Sequence, residues 1–129
     1  MRLDNLLGNI LWFIFGGFIS ALCYFIGGAL LCLTIIGIPF GVQCFKLGIF
    51  VLRPFGLQAL QTENSSGCLS VILNVFWLLW TGLGIAIIHI AFGCLLCLTI
   101  VLFPFGMQHF KMVEVALLPF GKKIVRRSE

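Results

Sequence analysis

Hydrophobic positions run along this chain in two long blocks, and polar positions gather in a short stretch between them and at the ends. From Ile10 to Val42 there are 33 residues without a charged side chain. As one straight helix that block would run roughly 50 Å, against a hydrocarbon core of about 30 Å. The chain is therefore expected to fold back inside it. The stretch from Gly28 to Lys46 is apolar for most of its length, is interrupted by Pro39 and Gly41, and ends in Gln43 and Lys46. The same pattern returns 65 residues later, from Gly93 through Pro104 and Gly106 to Gln108 and Lys111. Residues 9–56 and 74–121 align without gaps over 48 positions and match at 21 of them, so the chain is internally duplicated. Repeats of this kind are common in channels and transporters.

Folding back near Gly27-Gly28, and near Phe92-Gly93 in the second copy, gives two spans per copy. The first runs from about Leu6 to Ile26 and the second from about Ala29 to Leu52, each with the ~20 residues a span requires. The expected fold is an all-α integral membrane protein with four transmembrane helices, arranged as two repeated hairpins. The second helix of each hairpin is broken at Pro-Phe-Gly, a triplet found at 39–41, 54–56, 104–106 and 119–121. Residues 1–8 form a cytoplasmic N-terminus, 9–56 the first two-span repeat and 57–73 a polar linker loop. Residues 74–121 form the second repeat and 122–129 a basic cytoplasmic tail. Two spans per copy put both termini and the linker on one side, with Arg2, Arg53, Lys122, Lys123, Arg126 and Arg127, which the positive-inside rule assigns to the cytoplasm. The hairpins would then be parallel. One span per copy would invert the copies and divide these cations between the two compartments. The first apolar run outlasts a signal-peptide h-region and is expected to be retained as a span.

Composition agrees with the pattern. Apolar residues make up 61% of the chain and charged residues 9%, against roughly 45–50% and 25% in ordinary globular proteins. The mean hydropathy is +1.19. Lipid must cover much of the surface, so the chain reads as an integral membrane protein. The net charge of +4 points to anionic lipid headgroups rather than nucleic acid, since four of the eight cations lie in the last eight positions. Cys94-x-x-Cys97 has redox or metal spacing but no flanking ligands, and at helical spacing two such cysteines read as small packing residues. Asn64-Ser65-Ser66 fits a glycosylation acceptor, a triplet common by chance. No cofactor or metal is expected.

Candidate chemistry is sparse. Pro39 with Gly41, and Pro104 with Gly106, would interrupt a helix near the midplane and free backbone groups there. Such a break is either a packing kink or a site. Beyond it, Gln43, Lys46 and Arg53 share a helical face in the first copy. In the second, Gln108, Lys111 and Glu114 repeat at steps of three, with His109 beside them. These segments read either as half-helices lining a wet cavity or as amphipathic helices lying in the interface, their lysines snorkelling to headgroups. His89 stands where the first copy has Tyr24 and is expected to hydrogen-bond between helices. Trp12 and Trp77 fit interfacial anchors. No phosphate loop, nucleophile elbow or zinc ligand set is present, and no carboxylate lies deep in a span, so the chain does not read as an enzyme or a proton-driven exporter.

The segments Gly8-Asn9-Ile10-Leu11-Trp12, Cys32 to Gly41, and Arg53-Pro54-Phe55-Gly56, with their second-copy equivalents, resemble the YccF family, built from the "inner membrane component domain". The resemblance covers about residues 8–121 and implies a bacterial inner-membrane protein with two spans in each of two copies. It brings no catalytic residues. The second copy departs from the first at Leu102-Phe103 and at Leu118, which replaces Arg53. The leading functional expectation is a homo-oligomeric ion channel or transport component, with an anion preference set by Lys46 and Lys111. The alternative is a structural or accessory membrane protein binding lipid headgroups or a partner membrane protein, without transport.

Overall fold

The computed structural model describes residues 3–62 and 67–127, so the Asn64-Ser65-Ser66 triplet and Glu63 lie outside the described residues. Helix α1 (Leu3–Trp12) continues through a π-helical turn (Phe13–Gly17) into α2 (Phe18–Cys32). Together they make one apolar helix of 30 residues, long enough to cross a membrane, and Cys68–Cys97 makes a second. The latter comprises α4 (Cys68–Trp77), a π-helical turn (Leu78–Gly82) and α5 (Leu83–Cys97). Along the first long helix Asn9, Trp12, Gly16, Ser20, Tyr24 and Gly28 are buried, while Ile10, Ile14, Phe18, Leu22 and Ile26 are exposed. Both sets step by three or four, so one face packs and the opposite face is bare. At the π-helical turn Phe15 and Gly16 leave helical angles, with Gly16 at φ 110. That left-handed backbone is open to glycine at little cost.

The fold-backs fall at 33–37 and 98–102, further along than Gly27-Gly28 and Phe92-Gly93. Gly28 stays helical because it is a contact point: a Cβ there would lie 2.9 Å from Cys44 Cβ and 3.0 Å from the Gly41 carbonyl. Thr34 closes the turn instead. Its hydroxyl donates to the Leu31 carbonyl at 2.7 Å and accepts the Gly37 N–H at 3.0 Å, and Thr99 does the same with Leu96 and Leu102 at 2.8 and 3.3 Å. Helices α3 (Ile38–Leu52) and α6 (Phe103–Leu117) follow, with Pro39 and Pro104 in their first turns. First-turn amides have no intrahelical acceptor, so proline there loses nothing and begins a helix rather than breaking one. The expected midplane breaks are thus helix starts. At 15 residues, α3 and α6 are each roughly 22 Å long, short of a ~30 Å hydrocarbon core.

The linker and tail are not wholly irregular, and the fold is not purely α. Gly56 (φ 91) and Gly121 (φ 89) turn the chain out of the helical regions. Strands β1 (Leu57–Gln61) and β2 (Lys122–Arg126) then pair antiparallel. Ala59 lies opposite Ile124, and these two residues are separated by the repeat offset of 65. A pseudo-twofold axis therefore passes through the centre of the ribbon and relates the halves.

The hairpins point in opposite directions, which corrects the expected parallel pair. Phe40, at the turn end of the first hairpin, packs on Phe120 at the far end of the second, with ring centroids 5.9 Å apart. Phe55 and Phe105 make the symmetry-related contact at 5.5 Å. A Cβ on Gly27 would lie 3.1 Å from both Thr81 and Trp77, which parallel hairpins would hold at different heights. Opposed packing carries each indole into the other half: Trp77 stacks on Tyr24 at 5.8 Å, and Trp12 on His89 at 6.3 Å. Both tryptophans are buried core residues, not interfacial anchors. Their N–H groups donate to Val51 (2.6 Å) and Ala116 (3.1 Å), carbonyls in the last turns of α3 and α6 that lack helical partners.

Candidate functional site

Polar side chains collect in two places, one inside the molecule and one on its perimeter. Inside, α5 and α6 bring His89 and His109 together, both fully buried, with Nδ1 to Nδ1 at 2.9 Å. His109 Nε2 lies 2.8 Å from the Phe15 carbonyl at the kink of the opposite half. A carbonyl only accepts, so His109 carries its proton on Nε2 and offers a lone pair at Nδ1. His89 then donates from Nδ1, and its Nε2 is a buried acceptor with no hydrogen-bond partner among the described residues. The Tyr24 hydroxyl, at the equivalent place in the first half, is also buried with no hydrogen-bond partner among the described residues. The Trp12 ring covers His109 at 4.0 Å, and Ser20 donates to the Gly16 carbonyl at 3.0 Å. This chain of bonds ties the second hairpin to the kink of the first. It joins helices, as expected for His89, but the pairing with His109 was not visible in the sequence. Among the described residues no group of three or more His, Cys, Asp or Glu could hold a metal ion.

On the perimeter the expected polar stripe divides. Gln43 turns inward and donates to the Lys122 carbonyl at 2.9 Å and the Pro119 carbonyl at 3.4 Å, across the two halves. Gln108 and His109 are buried, whereas Lys46, Lys111 and Glu114 are exposed. Glu114 Oε1 accepts from Lys122 Nζ at 3.2 Å, and the Lys122 side chain is only 4% exposed. Among the described residues Lys46 and Lys111 form no ion pair, and they stand at equivalent places on α3 and α6. Pro39 and Pro104 are exposed in the first turns of α3 and α6, and Gly41 and Gly106 are buried behind them. A Cβ on Gly41 would run into Cys32 Sγ and the Gly28 carbonyl, and one on Gly106 into Cys97 Sγ and the Gly93 carbonyl. These glycines let two helices touch.

The ribbon adds the residues that sequence reasoning treated as loop and tail. Lys123 and Arg126 are exposed on β2, with Arg127 just beyond it donating its N–H to the Gly56 carbonyl at 2.9 Å. Lys46 and Lys111 stand halfway along α3 and α6, Arg53 follows the last turn of α3, and the turns 33–37 and 98–102 carry no charge. The segment Leu57-Gln58-Ala59-Leu60-Gln61 gave little strand signal, because Leu60 after Ala59 breaks the alternation that marks a strand.

A family profile described as "Inner membrane component domain" matches residues 7–57 and again residues 72–122. The "Inner membrane protein YccF" of Escherichia coli (strain K12) is 30% identical over 128 residues, covering 91% of this chain and 84% of that protein. The protein of the same name from Shigella flexneri matches to the same extent. No solved structure matches. With two copies of the domain filling most of its length, the chain belongs to the YccF family of inner membrane components.

Proposed function

We propose that the protein is a non-catalytic component of the bacterial inner membrane whose basic middle binds anionic lipid headgroups on the cytoplasmic side, where the C-terminus emerges. The observation that carries this reading is that Lys46, Arg53, Lys111, Lys123, Arg126 and Arg127 are all exposed on α3, α6, the ribbon and its flanks, while the long helices and turns expose apolar surface. A polybasic surface next to an apolar one gains about 1 kcal/mol per Lys or Arg from an anionic leaflet. The core is filled by Trp12, Tyr24, Trp77, His89 and His109, and among the described residues its one buried cation, Lys122, is paired with Glu114. The test is native mass spectrometry of protein extracted in mild detergent. Bound phosphatidylglycerol or cardiolipin should be retained by the wild type and lost from Lys123→Glu/Arg126→Glu. Equal retention by both would sink the reading.

The exposure of Lys46 and Lys111 favours a second reading, in which copies of the chain assemble so that these lysines line a pathway between subunits. Purified protein in a planar bilayer would then conduct anions, and Lys46→Glu with Lys111→Glu would shift the reversal potential toward cations. Silence over a wide range of voltage and salt removes this reading and leaves the first intact.

A further inference from the structure

Three features bear on how the molecule sits in lipid. The first is length. Each long helix has 30 residues, which if straight would reach roughly 45 Å against a hydrocarbon core of about 30 Å, and the first is bent at Phe15 and Gly16. Yet its apolar face is bare from end to end, from Leu3 through Ile10, Ile14, Leu22 and Ile26 to Leu33. Standing upright, such a helix leaves a third of that face in water. The second is the placement of charge. Opposed hairpins put the turns at the two ends of the molecule and the ribbon, with Lys46, Arg53, Lys111, Lys123 and Arg126, between them. Upright, the turns meet opposite membrane surfaces while these charges, between the turns, fall within the hydrocarbon. The ribbon has two strands and therefore two open edges, whose backbone groups find no partners in hydrocarbon.

The third is the build of the turns. Leu33, Ile35 and Ile36 are 81–87% exposed, and Leu98, Ile100 and Val101 are 82–94% exposed. The only polar side chains within the two turns are Thr34 and Thr99, which are engaged in bonding their own turn's backbone. Pro39 and Pro104 remove one more unbonded amide from the helix that follows. These are the economies that a lipid setting demands and water does not. With two opposite ends so constructed, neither belongs at an aqueous surface.

We infer that the protein lies flat in one leaflet and does not cross the bilayer: its pseudo-twofold axis runs along the membrane normal, the ribbon faces water, and both turns and both bare helix faces rest among the acyl chains. Lying flat removes the length mismatch, since the apolar face then runs along the membrane rather than through it. It also puts Lys46 and Lys111 within reach of headgroups. The inference rests on the proposed function only for the side on which the ribbon faces.

Two experiments test it. In the full-length protein with its six cysteines replaced by serine or alanine, single cysteines are placed at Leu60, Ile35 and Ile100 and exposed to a membrane-impermeant maleimide. In inverted membrane vesicles Leu60→Cys reacts. Ile35→Cys and Ile100→Cys react at least an order of magnitude more slowly, in inverted vesicles and in intact spheroplasts alike, until detergent is added. Reaction of either turn cysteine from the outside means that the chain crosses, and reaction of both from the inside means that the turns sit in water. Either result overturns the inference. Reaction of Leu60→Cys from the outside alone would instead overturn the cytoplasmic assignment and leave the flat placement standing. Oriented circular dichroism of the wild-type protein in aligned bilayers needs no substitution. Helix axes in the bilayer plane are expected, and axes along the normal overturn the inference.

Discussion

Asn74 bonds both ways with the backbone of Phe120, accepting from its N–H at 2.9 Å and donating to its carbonyl at 3.2 Å. Asn9 does the same with Phe55 at 2.9 and 3.2 Å. One amide thus satisfies two main-chain groups at each turn into the ribbon. Asn74→Leu is expected to lower stability by about 1–3 kcal/mol for each group left bare, seen as a lower thermal midpoint in mild detergent. Trp77→Phe keeps an aromatic ring in the core and loses the bond to Ala116, a smaller loss of about 1 kcal/mol. His109→Leu removes the partners of both His89 Nδ1 and the Phe15 carbonyl, and its midpoint should fall further than that of Trp77→Phe. An unchanged midpoint in His109→Leu would show that the histidine chain does not hold the halves together. The repeat made Asn9, Trp12, Asn74 and Trp77 conspicuous, but it did not say what they touch. His89 and His109 meet because they are nearly equidistant from a turn at 98–102. With the fold-back drawn at Phe92-Gly93 they fall at different heights, so one misplaced turn hid the pair.

At the level of elements, the same triplet does two jobs. Pro-Phe-Gly at 39–41 and 104–106 starts a helix and lets it press against its neighbour; at 54–56 and 119–121 its glycine adopts positive φ and turns the chain into a strand. Pro39→Ala is therefore expected to leave the helix content and thermal midpoint nearly unchanged, since the restored amide lies in a first turn. Had the proline broken a continuous span, its replacement would lengthen a helix, and the circular dichroism would show that. Gly41→Ala is expected to cost about 1–3 kcal/mol through overpacking against Cys32 and Gly28. Gly84→Ala is the control, for a Cβ there meets nothing within 4 Å. Equal effects of these two alanines on the midpoint would contradict the close helix contact. Proline and glycine were legible as punctuation, but proline reads alike as a break within a helix or the first turn of a new one. The choice was made by Thr34 and Thr99, whose hydroxyls close the preceding turns, and by the close contact at Gly28.

For the whole molecule, duplication and membrane class could be read from the chain, while the relative direction of the halves could not. Apolar periodicity and a fixed offset are the same for parallel and opposed hairpins. Cation counting favoured the parallel arrangement because it assumed that every hairpin crosses the bilayer. Packing decides otherwise, through Phe40 on Phe120 and Phe55 on Phe105. The ribbon, too, has a consequence for ancestry. Each half contributes one strand and can complete the pair only with the other, and Ala59 faces its own counterpart Ile124. A lone half is thus a natural homodimer subunit, able to exchange strands with a copy of itself. Joining two such halves in tandem fixes their ratio and frees them to diverge, so that Tyr24 and Cys44 in one half stand at the positions that the hydrogen-bonded His89 and His109 hold in the other. Co-expressed as two polypeptides divided between 62 and 67, the halves should purify together in equal amounts, and failure to associate would count against this origin.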